Sequence, residues 1–592
     1  VKTILAADCG STTTKAILIV RDAKSFHLAG RGEAPTTVEK PFEDVTVGLM
    51  NAIYELEEIT GRRLSRGGKL LVPGTDSEGA DIFLSTSSAG GGLQMLVMGV
   101  IKSMTAESAQ RAALGAGAII MDTIAFDDGR TDFQRIERIR NLHPDIILLA
   151  GGTDGGTAEH LVDLAELLLA AEPKPRFKHS YQLPVIYAGN ISAREQVSGI
   201  LKNVMEVRTV DNIRPVLEKE NLLPAREVIH RLFLEHVMAQ APGYTKLQSW
   251  AGTSVIPTPA AVGKIMQQVA QEQKINLLGV DIGGATTDIF SVFNGVFNRT
   301  VNANLGMSYS ICNVMNESGL QSILRWIPFE ISGDQLIEIL LNKMIRPTTI
   351  PETPEELYIE QAVAREALRL SLYHHIQFAA GLKGIRQERT IGDSFVQAMT
   401  GQTLVNLSKV DLIIGSGGVL SHAPERAQAA LIMLDAFQPK GIFQLAVDSI
   451  FMMPQLGVLS DVNPDAAKEV FHRDCLIPLG TVIVPDGISE PRQKIAEYIL
   501  RSQDNEESGE IHPGEIKVVP LRTEQIAELE IRPARNIDAG SGRGKIARAK
   551  ISGGEVGLIF DCRGRPITFP EETEGRINMI KHWFNVVYSG EK

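Results

Sequence analysis

Short apolar, β-branched runs recur along the chain, and each ends at glycine. Residues 3–7 lead into Asp8-Cys9-Gly10, 145–150 into Gly151-Gly152, 185–188 into Gly189-Asn190, 277–282 into Gly283-Gly284, and 411–414 into Gly415-Ser416-Gly417-Gly418. An unbroken apolar run of this length, stopped by a turn residue, reads as a strand buried on both faces. Between these runs, residues 158–171, 259–273, 361–382 and 424–437 carry apolar positions at helical spacing. Pro259, with Thr258 as candidate cap, and Pro424 mark two helix starts. Strands alternating with helices predict an α/β chain with ligand sites at the strand ends. The Pro- and Glu-rich stretch 346–356 reads as a surface loop.

Past about 464 the pattern changes. Residues 489–502 fit an amphipathic helix, and 503–510 an acidic linker. From about 515 short β-type runs dominate (516–520, 545–551, 557–560, 566–569), with Ser552-Gly553-Gly554 as a hairpin turn and a closing helix near 576–584. A chain of 592 residues is too long for one core. The expected division is 1–275, with an inserted region at about 85–240; 276–463; and 464–592, with a small β-rich domain from about 515. The likeness of residues 145–152 to 411–418 points to two related α/β halves.

Composition removes several function classes. Lys plus Arg total 59 against 71 Asp plus Glu, a net charge of −12, so no nucleic acid partner is expected. No run reaches the roughly 18 apolar residues of a spanning helix, and the opening Val1-Lys2-Thr3-Ile4 reads as a buried strand, so no membrane is expected either. Cys9, Cys312, Cys475 and Cys562 lie far apart, which argues against a cysteine-built metal site or a disulfide framework and for a reducing, cytoplasmic setting. His374 and His375 are helix neighbours on different faces, so they make no metal pair. The loop from Gly151 to Gly156 reads as a strand–helix turn, with an anion site as the alternative. The basic stretch from Gly542 to Lys550 reads as a solvated strand face.

Three motifs carry chemistry. Asp8-Cys9-Gly10-Ser11-Thr12-Thr13-Thr14-Lys15 lies between two strands, where a tight turn directs N–H groups and hydroxyls at one point, suiting a polyphosphate. Lys15 adds positive charge, and Asp8 is placed to hold hydrated Mg²⁺. Asp281-Ile282-Gly283-Gly284-Ala285-Thr286-Thr287-Asp288 repeats this grammar, and Gly415-Ser416-Gly417-Gly418 lets the backbone approach a flat ligand such as a nucleoside. No G-x-x-x-x-G-K-[ST] pattern occurs, so this is not a P-loop.

In this order the motifs resemble the phosphate-1, phosphate-2 and adenosine motifs of the actin, sugar-kinase and heat-shock-chaperone ATPase superfamily. Residues 258–273 resemble its first connecting helix. The resemblance implies a two-lobed actin-like ATPase with ribonuclease H-like lobes and MgATP between them, here with an inserted α/β region and a C-terminal β-rich domain. Residues 86–93, 144–156, 188–190, 279–293 and 557–566 further resemble the glutamate mutase L (MutL) accessory proteins. That family is associated with adenosylcobalamin-dependent carbon-skeleton mutases and implies an ATP-dependent reactivating factor.

The expectation is therefore a slow Mg²⁺-dependent ATPase acting on mutase subunits, its oligomeric state open. Asp8 and Asp281 hold hydrated Mg²⁺, Asp281 or its neighbours order the attacking water, and Lys15 stabilises charge on the β- and γ-phosphates. Gly10, Ser11, Thr12, Thr13, Gly283, Gly284, Thr286 and Thr287 bind phosphates, and Gly415, Gly417 and Gly418 receive the nucleoside. The rivals are a small-molecule kinase of the same superfamily, an activator of 2-hydroxyacyl-CoA dehydratases, which the scattered cysteines oppose, and a nucleotide-gated scaffold.

Overall fold

The run at the start of the chain forms β1 (Thr3–Cys9), an interior strand of its sheet, buried at all seven positions with helical residues Val45–Thr60 and Met453–Leu459 packed against it. The computed structural model describes residues 2–10, 13–23, 25–38, 40–88, 93–176, 182–237, 242–379, 403–487, 494–502 and 506–589. Two compact units share the chain. The first comprises Val1–Ile265 and Met453–Arg473, the second Met266–Ala379, Leu404–Met452 and Asp474–Lys592.

In the first unit β1, β2 (Thr13–Arg21) and β3 (Phe26–Pro35) make an antiparallel meander, covered by α1 (Val45–Thr60). On its other side β1 pairs in parallel with β4 (Ile82–Ser87). The insert follows, with β5 (Gln94–Gly99), β6 (Ile119–Ala125), α2 (Asp132–Leu142), β7 (Ile146–Ala150), α3 (Glu159–Ala171), β8 (Pro184–Tyr187) and β9 (Glu206–Thr209). Its five strands are all parallel, in the order β6-β5-β7-β8-β9, around a core that includes Met98, Leu149 and Leu164. Then β10 (Ile256–Pro257) returns beside β4, completing the order β10-β4-β1-β2-β3. It leads into α4 (Thr258–Gln273), which the unit boundary cuts after Ile265. Met453–Arg473 packs back onto this unit. Gly457 is needed there, since a Cβ would sit 2.1 Å from the Ala261 carbonyl oxygen, and Glu469 accepts the Phe26 N–H at 2.7 Å.

The second unit repeats the first sheet. β11 (Leu277–Ile282), β12 (Thr287–Phe293) and β13 (Val296–Asn302) form a meander, with α5 (Pro354–Phe378) packed on β12 and β13. β14 (Leu412–Ser416) pairs in parallel with β11, α6 (Arg426–Phe437) follows, and β15 (Gly441–Asp448) pairs in parallel with β14. The order β13-β12-β11-β14-β15 thus matches β3-β2-β1-β4-β10 in sequence and direction. This is the ribonuclease H-like order, present twice. The halves are related, but the counterpart of β14 is β4. The run at 145–150 instead supplies β7 of the insert, so its likeness to 411–418 is local.

Beyond β15 the second sheet grows to eight strands by adding β16 (Leu476–Val484) and two strands from the tail. The tail holds β17 (Ala496–Arg501), β18 (Glu506–Ile511), β19 (Ile516–Val519), β20 (Ile526–Pro533), β21 (Ala547–Ser552), β22 (Leu558–Asp561) and α7 (Thr573–Ser589). β18-β17-β20-β21 is a separate sheet, whereas β22 and β19 continue the large one. Several expectations fail here. The helix over 489–502 is absent from its described residues, where 496–501 form a strand, and most of the supposed linker is the partner strand β18. Residues 566–569 are turn and coil. Ser552-Gly553-Gly554 is not a hairpin, because β21 and β22 belong to different sheets; Gly553 lies where a Cβ would meet the Arg522 carbonyl oxygen at 2.1 Å.

A buried charge network fastens the tail. Arg365 on α5 donates from Nε to Asp435 on α6 at 2.7 Å, and Arg563 lies 2.8 Å from both Asp435 and Asp561. Arg565 is also 2.8 Å from Asp561. Trp583 on α7 stacks over the Arg563 guanidinium at 4.8 Å. No described helix is long and apolar enough to cross a membrane.

Candidate functional site

Asp8 stands at the end of β1, and three neighbouring strands decide what surrounds it. Register puts Thr86 of β4 beside it on one side and Lys15 of β2 on the other. β10, paired with β4, delivers Thr258 at the first position of α4. Both hydroxyls donate to Asp8 Oδ1, Thr86 at 2.7 Å and Thr258 at 2.5 Å. Burial pushes the Asp8 carboxyl above its usual range, while the Thr258 and Thr86 hydroxyls and the Lys15 charge hold it back. The sequence marks Thr258 as a helix cap and carries no local signal that joins it or Thr86 to the Asp8 carboxylate.

The turn after Asp8 closes with the Gly10 N–H donating to the Thr13 carbonyl at 3.1 Å. Thr36 donates to the Gly10 carbonyl at 2.8 Å. A Cβ on Gly10 would sit 2.6 Å from the Thr13 oxygen, so glycine is required. Ser11 and Thr12 lie outside the described residues. Cys9, beside the site, is buried and its thiol is pushed up to about 12, which makes it a poor nucleophile.

The second turn is built the same way. Asp281 is half-buried near the end of β11, and the Gly283 N–H donates to the Thr286 carbonyl at 2.8 Å. Both turns thus share the frame Asp-x-Gly-x-x-Thr, with one closing bond on one sheet topology. The N–H groups of Met307 and Ser308 donate to the Gly283 and Gly284 carbonyls at 2.9 and 2.8 Å, so a loop from later in the chain backs the turn. Where the first turn has Lys15 across from its aspartate, the second has Asp288, buried and ion-paired to Arg299 at 2.6 Å. Thr287 departs from its expected role: it is fully buried and donates its hydroxyl to the Leu305 carbonyl, so it supports the turn from behind.

The three glycines at the end of β14 and just beyond it serve different ends. Gly415 faces inward, where a Cβ would meet Met433 Sδ at 2.8 Å. Gly417 has φ of +102°, and a Cβ would lie 2.1 Å from the Ile282 carbonyl oxygen. Only Gly418, at the start of a short helix, has open space on its Cβ side. Packing within the protein itself thus requires glycine at two of the three positions. Ser416, opposite Asp281 in the sheet, and Ser421 have buried hydroxyls with no hydrogen-bond partner among the described residues. Gly418→Val is expected to weaken nucleotide binding by about tenfold or more while leaving the melting temperature unchanged, whereas Gly417→Val lowers the melting temperature itself. Calorimetric titration with ATP and thermal unfolding of both variants check this.

Among the described residues no three acidic, histidine or cysteine side chains cluster as a metal cage. One carboxylate per turn suits Mg²⁺, which keeps most of its waters and needs few protein oxygens. His375 is buried and bonded to Thr300 at 2.9 Å and Ser291 at 2.8 Å, whereas His374 points to Asn302. The two rings thus engage different partners.

Comparison with known proteins adds a family. A family model described as MutL protein matches residues 4–475. The protein MutL of Clostridium tetanomorphum is 30% identical over 499 residues, covering 79% of this chain and 98% of that protein. Among solved structures, nucleotide-free acetone carboxylase covers 86% of this chain and 81% of its own at 11% identity, with a TM-score of 0.33. A glycerol dehydratase reactivase covers 78% of this chain and 100% of its own at 10% identity, with a TM-score of 0.28. The family match stops at 475, so the tail, including the 557–566 stretch that carries part of the sequence resemblance, lies outside it.

Proposed function

The chain belongs to the MutL protein family, and from that premise we propose that it is a Mg²⁺-dependent ATPase serving as a reactivating factor for an adenosylcobalamin-dependent carbon-skeleton mutase such as glutamate mutase. The observation that carries the ATPase reading is the repeated Asp-x-Gly-x-x-Thr turn, set at the same corner of the same sheet order in both units. Each turn offers phosphate donors and one carboxylate, and the first adds the Lys15 charge, the groups on which phosphoryl transfer to water draws.

In this reading Gly10, Ser11, Thr12, Thr13, Gly283, Gly284 and Thr286 donate to the phosphates. Lys15 stabilises charge on the β- and γ-phosphates. Asp8, fixed by Thr86 and Thr258, and Asp281 hold waters, some of them on Mg²⁺, and Asp281 orders the attacking one. Bound Mg²⁺ neutralises charge on the phosphate oxygens. Gly418 is where the nucleoside meets the backbone, with Ser416 and Ser421 as nearby hydroxyls. ATP and ADP states with different affinities for the client would convert turnover into a change in the client's conformation.

Turnover without any metabolite tests the ATPase. The purified protein is expected to release phosphate slowly from ATP, only with Mg²⁺ present. Hydrolysis that appears only on adding a small hydroxylated acceptor would establish the kinase instead.

A further inference from the structure

We infer that the carboxyl edge of the inserted parallel sheet docks a protein partner. The inference rests on the accessory role proposed above and names the face that meets the client. The strand order β6-β5-β7-β8-β9 is doubly wound, and in such sheets the functional loops gather outside the carboxyl ends of the strands. Six large apolar side chains stand open to solvent there: Ile101 after β5, Phe126 after β6, Phe133 in the first turn of α2, Ile191 after β8, and Val216 and Leu217 after β9. Among the described residues the opposite edge exposes one, Val204. Single exposed apolar residues need no explanation, but a one-sided set of six does.

The loops that carry them are tied together. The Phe126 N–H donates to the Val100 carbonyl at 3.2 Å and the Lys102 N–H to Asp127 at 2.6 Å, joining the loops after β5 and β6. The Asp154 N–H donates to the Pro215 carbonyl at 2.9 Å, and its carboxylate accepts from the Ile191 N–H at 3.1 Å and from Asn212 at 2.8 Å. That joins the loops after β7, β8 and β9. The Phe126 ring also lies 4.6 Å from the His160 ring on α3. A surface ordered in advance loses little entropy on binding.

Charge selects the occupant. Around the apolar residues the exposed Asp127, Asp154, Asp211 and Glu218 outnumber Lys102 and Lys219. An acidic rim around an apolar centre fits a protein face with an apolar centre and a Lys/Arg margin. It disfavours a phosphate ligand, and it disfavours a second copy of a chain whose net charge is −12.

The test uses the full chain, with Phe133→Asp and Ile191→Asp on this edge and Val204→Asp on the other. Each is titrated, with MgATP, against purified glutamate mutase charged with adenosylcobalamin, and basal ATP hydrolysis is followed alongside. Wild type and Val204→Asp are expected to bind alike and the two edge variants about tenfold or more weakly, with basal hydrolysis equal in all. Equal affinity throughout overturns the docking surface and leaves the accessory role standing. Failure of the wild type to bind the mutase overturns both. Adenosylcobalamin alone, retained by the wild type and lost by the edge variants, overturns protein docking in favour of a small-molecule crevice between β5 and β7.

Discussion

Asp8→Asn and Asp281→Asn are each expected to lower Mg²⁺-dependent ATP hydrolysis by at least about tenfold, with the protein still folded. The amide keeps the size of the side chain, so the turns closed by Gly10–Thr13 and Gly283–Thr286 persist. In the proposed reading what is lost is the negative charge that holds the cation and, at Asp281, orders the attacking water. At Asp8 the change also disturbs an arranged acceptor, because two hydroxyls converge on Oδ1. Phosphate release and circular dichroism on both variants check this. Unchanged turnover in both would remove these carboxylates from the chemistry.

Asp561→Asn is expected to destabilise the second unit by about 3–5 kcal/mol. Asp561 is wholly buried beside Arg563 and Arg565, and losing its charge leaves Arg565 without this partner and the buried Arg365 and Arg563 facing Asp435 alone. Two of the three tryptophans, Trp326 and Trp583, stack on arginines of this network, so fluorescence during urea unfolding reports on it directly. Although burial opposes ionisation, the Arg563 and Arg565 charges hold the Asp561 carboxyl far below the usual carboxylate range. Its folded pKa lies below the unfolded value of about 3.9, so the stabilisation is present at neutral pH and is lost as pH falls below about 4. The wild type should therefore weaken in acid more steeply than the variant.

What the sequence makes legible is local. β1, β7, β11 and β14 are apolar and buried on both faces, and glycine ends or follows each, so run and turn lie within a dozen residues of one another. The Asp8 and Asp281 turns are readable for the same reason. Thr86 and Thr258 are not, since they reach Asp8 from 78 and 250 residues away through pairing of β1, β4 and β10. The same limit explains β17. Ile495, Ala496, Tyr498, Ile499 and Leu500 fit a helical stripe or an alternating strand, and pairing with β18 and β20 decides for the strand. Gly415, Gly417 and Gly418 are hard to read for another reason: a sequence cannot distinguish a glycine that admits a ligand from one that admits Ile282 or Met433.

The account stands or falls on recovery of a stalled mutase. Radical enzymes of this class stop when the cofactor loses its adenosyl group and the damaged corrinoid stays bound. Glutamate mutase inactivated in this way is incubated with this protein, Mg²⁺, fresh adenosylcobalamin and either ATP or a non-hydrolysable analogue, while corrinoid release and mutase activity are followed. The account predicts release and recovered activity with ATP and neither with the analogue. Equal recovery with both nucleotides, or none with ATP, would contradict it.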